Sequence, residues 1–231
     1  MAPYAESSAA LIIPALNEES CIARTLSSIP PGLFRQVLVS DNGSSDHTAE
    51  IARRLGATVV IEPRRGYGAA CLKALSAVAP DTTAVVFLQA DGSENPEEAR
   101  GLLAPIYTGC ADLVIGSRVL GRAEKGSLEP HQRFGNWLAT LLIRWRWGQR
   151  YTDLGPFRAI RLESLKMLDM QDRNYGWTVE MQIKALRQDL RVEERPVSYR
   201  KRIAGENKIS GNLKASVLAG LKILWTIWRL R

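Results

Sequence analysis

The 231-residue sequence predicts an α/β protein with a mostly parallel central sheet and helices on both faces. Three observations carry that reading. Short apolar runs alternate with helical segments five times between residues 9 and 116. Hydrophobic residues make up 45% of the chain and charged residues 24%, which fits a folded domain and argues against general disorder. Polar clusters follow the apolar runs, at the strand ends where open sheets of this type bind ligands.

The elements follow in order. Ala9 to Pro14 (AALIIP) reads as a buried strand and Asn17 to Leu26 as a helix. Arg35 to Ser40 is a second strand, and the turn-rich run Asp41 to Asp46 caps a helix starting near Thr48. Ala57 to Glu62 is a third strand and Gly68 to Val78 a third helix. Thr83 to Leu88 is a fourth strand, Pro96 to Leu103 a helix and Asp112 to Gly116 a fifth strand. Beyond Arg118 the pattern changes. Residues 121–132 read as a polar loop, 134–148 and 176–188 as helices, and 153–161 as a segment turning through Gly155-Pro156-Phe157-Arg158. Arg191 to Tyr199 is a further strand, and a basic loop from Arg200 to Lys208 leads to an apolar final helix. The expected organisation is one catalytic domain over 1–212 and an amphipathic interface helix over 213–231.

Charge divides the chain. Residues 1–117 carry a net −5 and residues 118–231 a net +12. The front half suits a cation and the back half an anionic partner. Cys21, Cys71 and Cys110 are widely spaced and odd in number, so no disulfide framework or metal knuckle is expected and a reducing compartment fits. Met1 to Ser8 lacks a cationic start, which reads as cytoplasmic, and no run of ~20 apolar residues predicts a spanning helix. Five of the six tryptophans, Trp137, Trp145, Trp147, Trp225 and Trp228, lie with arginines in two helical segments. That composition suits helices lying flat on a membrane surface; a stripe packed on the sheet is the other reading.

Five segments converge on one sheet edge: Asn17-Glu18, Asp41-Asn42, Arg64 to Gly68, Gln89 to Ser93, and Ser117-Arg118. Asp91, with Gln89 and Glu94 nearby, is a candidate ligand for Mg²⁺ or Mn²⁺, hard cations that favour oxygen donors; an ordinary Asp-Gly turn is the alternative. Asp41 suits a nucleoside edge or an Asx-turn. The run Arg64 to Ala70 lacks the third glycine of a dinucleotide fingerprint and follows the third strand, so that reading fails, although Gly66 and Gly68 beside two arginines can face a diphosphate. Arg118, Arg133, Arg158, Arg202 and Lys208 belong to a second, basic cluster suited to phosphates. Asp153 and Glu180 are candidate bases, arginine orienters or structural carboxylates. No nucleic-acid motif is present, and no nucleic-acid partner is expected.

Taken together, IPALNEE, VSDNGSSDHTAEIA, RRGYGAACLKAL, FLQADGSE, LVIGSR, YTDLGPFRAIR, YGWTVEMQIKA and the loop through KIS resemble an inverting family 2 glycosyltransferase, of the dolichyl- or polyprenyl-phosphate hexose synthase type. The resemblance spans residues 12–210. It implies a nucleotide-diphospho-sugar transferase (GT-A) fold and a nucleotide-sugar donor carrying glucose or mannose. It implies donor contacts at Pro14, Asn17, Glu18, Asp41, Gly66, Gly68, Gln89, Arg202 and Lys208. Asp91 matches the last residue of the family's metal motif, whose first position Gln89 fills with a neutral amide. Arg118 and Arg133 match acceptor-phosphate arginines, and Asp153, Arg158 and Glu180 stand as acceptor or orienting residues. The implied acceptor is a polyprenyl phosphate at the cytoplasmic membrane face, reached peripherally. A phosphate nucleophile is largely dianionic at neutral pH, with its second pKa near ~6, and needs positioning rather than a base. A soluble or glycan hydroxyl acceptor, or nucleotidyl transfer on the same architecture, are the competing readings.

Overall fold

The computed structural model describes residues 8–204 and 213–230. The four leading apolar runs form β1 (Ala9–Ala15), β2 (Gln36–Asp41), β3 (Thr58–Ile61) and β4 (Ala84–Phe87). Between and after them stand α1 (Glu19–Ser27), α2 (Thr48–Arg54), α3 (Tyr67–Leu75) and α4 (Ala99–Tyr107). The chain continues through β5 (Leu113–Ala123), α5 (Pro130–Trp147), β6 (Arg158–Arg161) and α6 (Leu162–Met167). It ends with α7 (Trp177–Arg187), β7 (Val192–Tyr199) and α8 (Leu213–Arg229).

The strands make one sheet in the order β3-β2-β1-β4-β6-β5-β7. β6 runs antiparallel to both neighbours, and the other strand pairs are parallel. This is the mostly parallel α/β sheet that the alternation predicts. Successive strand side chains point to opposite faces, so a strand covered on both sides reads as an unbroken apolar run. Leu11 and Ile13 of β1 face a layer holding Val39, Val86 and Leu102, whereas Ile12 faces Leu38, Val85 and Phe87. Helices α1, α2 and α4 cover the first face, and α3, α5 and α7 cover the second. α8 packs beside α5 and α7, and its Ile227 joins the second core.

Several elements differ from expectation: α6 is absent from the predicted elements, α4 runs on to Tyr107, and three further differences shape the site. β5 continues past Gly116 to Ala123, through an irregularity between Ser117 and Arg122, because β7 supplies a partner strand. Gly121 permits the approach, since a Cβ there would collide with the Val197 backbone. The segment over 153–161, expected as a turn, ends in β6, whose backbone fills the gap between β4 and β5. Helix α5 starts four residues early, at Pro130, because Glu129 and Gln132 cap it reciprocally.

Candidate active site

The ends of β1, β2 and β4 and the start of α3 surround a cavity of about 370 Å³. Pro14, Glu18, Asn42, Gly66, Gln89 and Asp91 are among its walls. Each arrives for a local reason. Asn17 turns the chain out of β1 in the left-handed region, at φ 48°. The Ser44 hydroxyl accepts the Asn17 N–H at 2.9 Å, and the Asn17 side chain accepts the Ser45 N–H at 2.8 Å. This bent hinge starts α1 and presents Glu18, whose own N–H donates to the Thr48 hydroxyl at 2.7 Å.

Asn42 is spent on structure. Its amide donates to the carbonyls of Glu62 (2.9 Å) and Arg64 (2.7 Å) and accepts the Gly66 N–H (2.8 Å). It thereby shapes the glycine turn that opens α3. Asp41 is buried beside it, its carboxylate 3.3 Å from the Ser44 N–H, and is not among the cavity walls. Gly66 lines the cavity, while Gly68 packs behind it against the 172–173 backbone.

At the end of β4, Asp91 Oδ1 accepts the Ser93 N–H (3.0 Å) and hydroxyl (2.6 Å). Its other oxygen lies 3.6 Å from Arg202 Nη1, and Arg202 also pairs with Glu18. The loop after β7 therefore lies across the two carboxylates. It is fastened by Arg200 N–H to the Ser93 carbonyl (2.7 Å) and Ile203 N–H to the Asp91 carbonyl (3.2 Å). Lys208 lies outside the described residues. Gln89 aims its amide oxygen at the Ser93 hydroxyl, 3.3 Å away.

Glu94 lies behind this strand end and is not among the cavity walls. Its carboxyl is buried, takes the Gln89 N–H at 2.7 Å and leaves Oε1 without a partner. Burial pushes it up to about 8, so at neutral pH it is mostly uncharged. Among the described residues no group of three or more His, Cys, Asp or Glu gathers to hold an ion. Asp91 is thus the candidate charged oxygen donor at this strand end. That set suits Mg²⁺ or Mn²⁺ in the mode where one or two carboxylates share the ion with substrate phosphates and water.

A second cavity of about 640 Å³ lies on the other side of Arg118, between the β5 extension and α5. Arg118, Lys125, Gln132, Arg133 and Asp153 line it, with Val119 and Trp137 supplying apolar wall. Arg118 and Gln132 line both cavities. Arg118 is locked by Asp153 through Nε to Oδ2 (2.8 Å) and Nη2 to Oδ1 (2.7 Å), and Asp153 Oδ2 also accepts the Arg118 N–H (2.8 Å). Burial opposes the guanidinium charge, but the bonds and charge of Asp153 outweigh it, and the net shift is upward. The Tyr199 ring stacks beneath it, 5.1 Å from Cζ.

Arg158 and Glu180 line neither cavity. Arg158 is fully buried and donates to the carbonyls of Gly155 (3.1 Å) and Thr178 (3.0 Å), and burial pushes it down to about 10. Glu180 accepts the N–H groups of Gln171 (3.0 Å) and Asp172 (2.7 Å) and pairs with Lys184 (2.8 Å). Sequence reasoning passed over Asn174, Tyr175 and Tyr199 as walls of the first cavity, and Gln132 as a wall of both. Tyr199 ends a parallel strand, so the rule that found the other clusters applied to it as well.

The sequence model of the family described as Glycosyl transferase family 2 matches residues 10–168. The chain belongs to glycosyl transferase family 2. An uncharacterized glycosyltransferase of Mycobacterium tuberculosis is 38% identical over 216 residues, covering 90% of this chain and 93% of the relative. A dolichyl-phosphate hexose transferase of Haloferax volcanii is 32% identical, covering 90% of each chain. Among solved structures, the glucosyl-3-phosphoglycerate synthase of M. tuberculosis, in complex with Mn²⁺, UDP and glucosyl-3-phosphoglycerate, superposes with a TM-score of 0.77 at 23% identity. That superposition covers 98% of this transferase and 80% of the synthase and shares the GT-A fold. The transferase is therefore an enzyme whose two adjoining cavities open at the strand ends of that fold.

Proposed function

We propose that this transferase moves a hexose from a nucleotide sugar, with inversion, to the phosphate of a polyprenyl or dolichyl phosphate. The observation that carries the reading is Arg118, a partly exposed and permanently charged guanidinium paired with the buried Asp153 at the wall shared by the two cavities. The nucleotide sugar would occupy the cavity lined by Pro14, Glu18, Gly66 and Asp91, and the acceptor phosphate the one lined by Arg118, Lys125 and Arg133. An acceptor phosphate oxygen attacks the anomeric carbon, and the bond from that carbon to the β-phosphate oxygen breaks. The nucleoside diphosphate leaves with the electron pair. No proton has to be removed from a phosphate already ionised, which fits an acceptor cavity rich in arginine.

Asp91 would hold Mg²⁺ or Mn²⁺ together with the donor diphosphate. The ion neutralises charge on the leaving group. Arg202, already beside Asp91, stands where it can exchange a carboxylate for a phosphate, and Lys208 is assigned to the same loop. Asn17, Asp41 and Gly68 support the donor site from behind its walls, and Asp153 holds Arg118 in place.

The lipid acceptor is supported by surface as well as by the Haloferax relative. Phe134, Trp137, Leu141 and Trp145 form one exposed stripe on α5. Leu218, Leu221, Trp225 and Trp228 form another on α8, which packs beside it. Val119, which lines the acceptor cavity, and its neighbour Leu120 are both exposed. No helix among the described residues is long and apolar enough to cross a membrane. The reading is a catalytic domain over 1–212 lying on the cytoplasmic membrane face, with 213–231 as an interface helix.

The test supplies labelled UDP-glucose or GDP-mannose with polyprenyl phosphate and Mg²⁺ or Mn²⁺. Label extracted into organic solvent, lost in Asp91→Ala, is the expected result. Label transferred only to 3-phosphoglycerate would replace the lipid with a soluble phosphate acceptor. Release of pyrophosphate would point to nucleotidyl transfer instead.

A further inference from the structure

Resting on the donor assignment above, we infer that α8 is a positioning element for the donor site, acting through an ion pair between Lys222 and Asp172. The wall opposite β1 in the donor cavity is the segment carrying Asn174 and Tyr175. That segment has no strand or helix of its own. A buried carboxylate holds the part around Tyr175: Asp172 Oδ1 accepts the Asn174 N–H at 2.7 Å and the Gly176 N–H at 3.1 Å, the two amides that bracket Tyr175. The other oxygen, Oδ2, receives Lys222 Nζ of α8 at 2.9 Å.

The same segment builds the other side of the donor turn. The Arg173 carbonyl accepts the Ala69 N–H at 2.9 Å, at the first turn of α3. A Cβ on Gly66 would collide with the Arg173 carbonyl, and one on Gly68 with the Asp172 carbonyl. The two glycines are therefore required for contact with this segment as well as for a ligand. Gly176 serves α8 in the same way, because a Cβ there would lie 2.5 Å from the Thr226 hydroxyl and from Asp172 Oδ2.

The Asp172 carboxylate is 4% exposed, and a buried carboxylate deprived of its cation is poorly solvated. Without Lys222 it reaches solvent only by moving, and that movement loosens its grip on the two amides. Lys222 also sits over the Trp225 ring at 4.3 Å, and Trp225 belongs to the exposed stripe of α8. One lysine thus ties the apolar outer face of α8 to the wall of the donor cavity. Acceptor-side residues such as Arg118 and Arg133 take no part in this chain of contacts, so the effect falls on the donor.

The experiment compares wild type, Lys222→Met and Lys222→Arg in the full chain. Calorimetry with UDP and with GDP reads nucleotide affinity, and initial rates read donor and acceptor KM separately. Hydrogen exchange reads the Asn174 and Gly176 amides without ligand. In Lys222→Met, the nucleotide Kd and donor KM should rise roughly tenfold, the loss of one charge-assisted bond. Exchange at both amides should quicken, acceptor KM should stay unchanged, and Lys222→Arg should restore all three. Wild-type nucleotide binding with an unaltered Kd and unaltered exchange in a folded Lys222→Met overturns the inference alone. An equal loss on donor and acceptor overturns it too, as a general structural effect. Wild type that binds neither nucleotide overturns the donor assignment, and this inference with it.

Discussion

Replacing Glu94 with glutamine is expected to stabilise the transferase at neutral pH and to leave it nearly unchanged near pH 5. Burial pushes the Glu94 carboxyl up to about 8 from 4.5; the Gln89 N–H favours the charge, and Asp91 adds to the rise. In the unfolded chain the group ionises near its ordinary value. Between those two points the folded protein holds a proton that the unfolded chain has released. Stability therefore falls as pH rises through that window and levels off above it. At ~1.4 kcal/mol per unit, the loss reaches about 3 kcal/mol at pH 7 and about 5 kcal/mol above pH 9. Relaxation and water entry make these figures ceilings. Glutamine keeps an oxygen for the Gln89 N–H at the same place and removes the titration. Urea unfolding of wild type and Glu94→Gln in EDTA at pH 5, 6, 7 and 8 provides the assay. The gap should open from under about 1 kcal/mol at pH 5 to at most about 4 kcal/mol at pH 8. Equal unfolding free energies at all four values would mean that Glu94 is ionised at neutral pH. It would then stand beside Asp91 as a second charged ligand, and the single-carboxylate reading of the ion site would fail.

Arg118→Lys should lower stability by about 3 kcal/mol and kcat/KM roughly a hundredfold, since lysine cannot span both oxygens of the buried Asp153. Denaturation and rate measurements check this, and the double variant with Asp153→Asn should cost less than the two singles added, because either change alone already breaks the two-point pairing. Gly68→Ala should raise donor KM with acceptor KM unchanged, because the added methyl displaces the Asp172 carbonyl; equal effects on both constants would count against it. Arg202→Met should weaken donor binding while strengthening Mn²⁺ binding without donor, because Glu18 and Asp91 lose their internal cation; electron paramagnetic resonance of free Mn²⁺ reads the second effect.

The regular half of the fold is readable because each strand carries its own signal. AALIIP and TAVVFL are buried on both faces, so their apolar runs are continuous and their polar ends mark one edge of the sheet. Glu18, Gly66 and Asp91, walls of the first cavity, fall in the polar clusters that this rule marks, because strand ends in a parallel sheet share one side, whereas Pro14 comes only from the family resemblance. β6 carries no such signal. It is four residues long with an arginine at each end, and it is a strand because β4 and β5 leave a slot that its backbone fills. Arg158 reads as a phosphate ligand in sequence, whereas tertiary packing buries it among carbonyl oxygens. Glu94 reads as a charged neighbour of Asp91, and only the fold reveals the burial that neutralises it. The same distinction explains Asn174 and Tyr175. A loop without periodicity acquires its shape from Asp172, Glu180 and Lys222, residues held on α7, α8 and the loop itself. Local chemistry marks where a ligand enters such a sheet, while the walls that select it come from contacts between segments remote in sequence. A change in α8 should accordingly reach the donor before it reaches the acceptor, although among the described residues none of α8 lines either cavity.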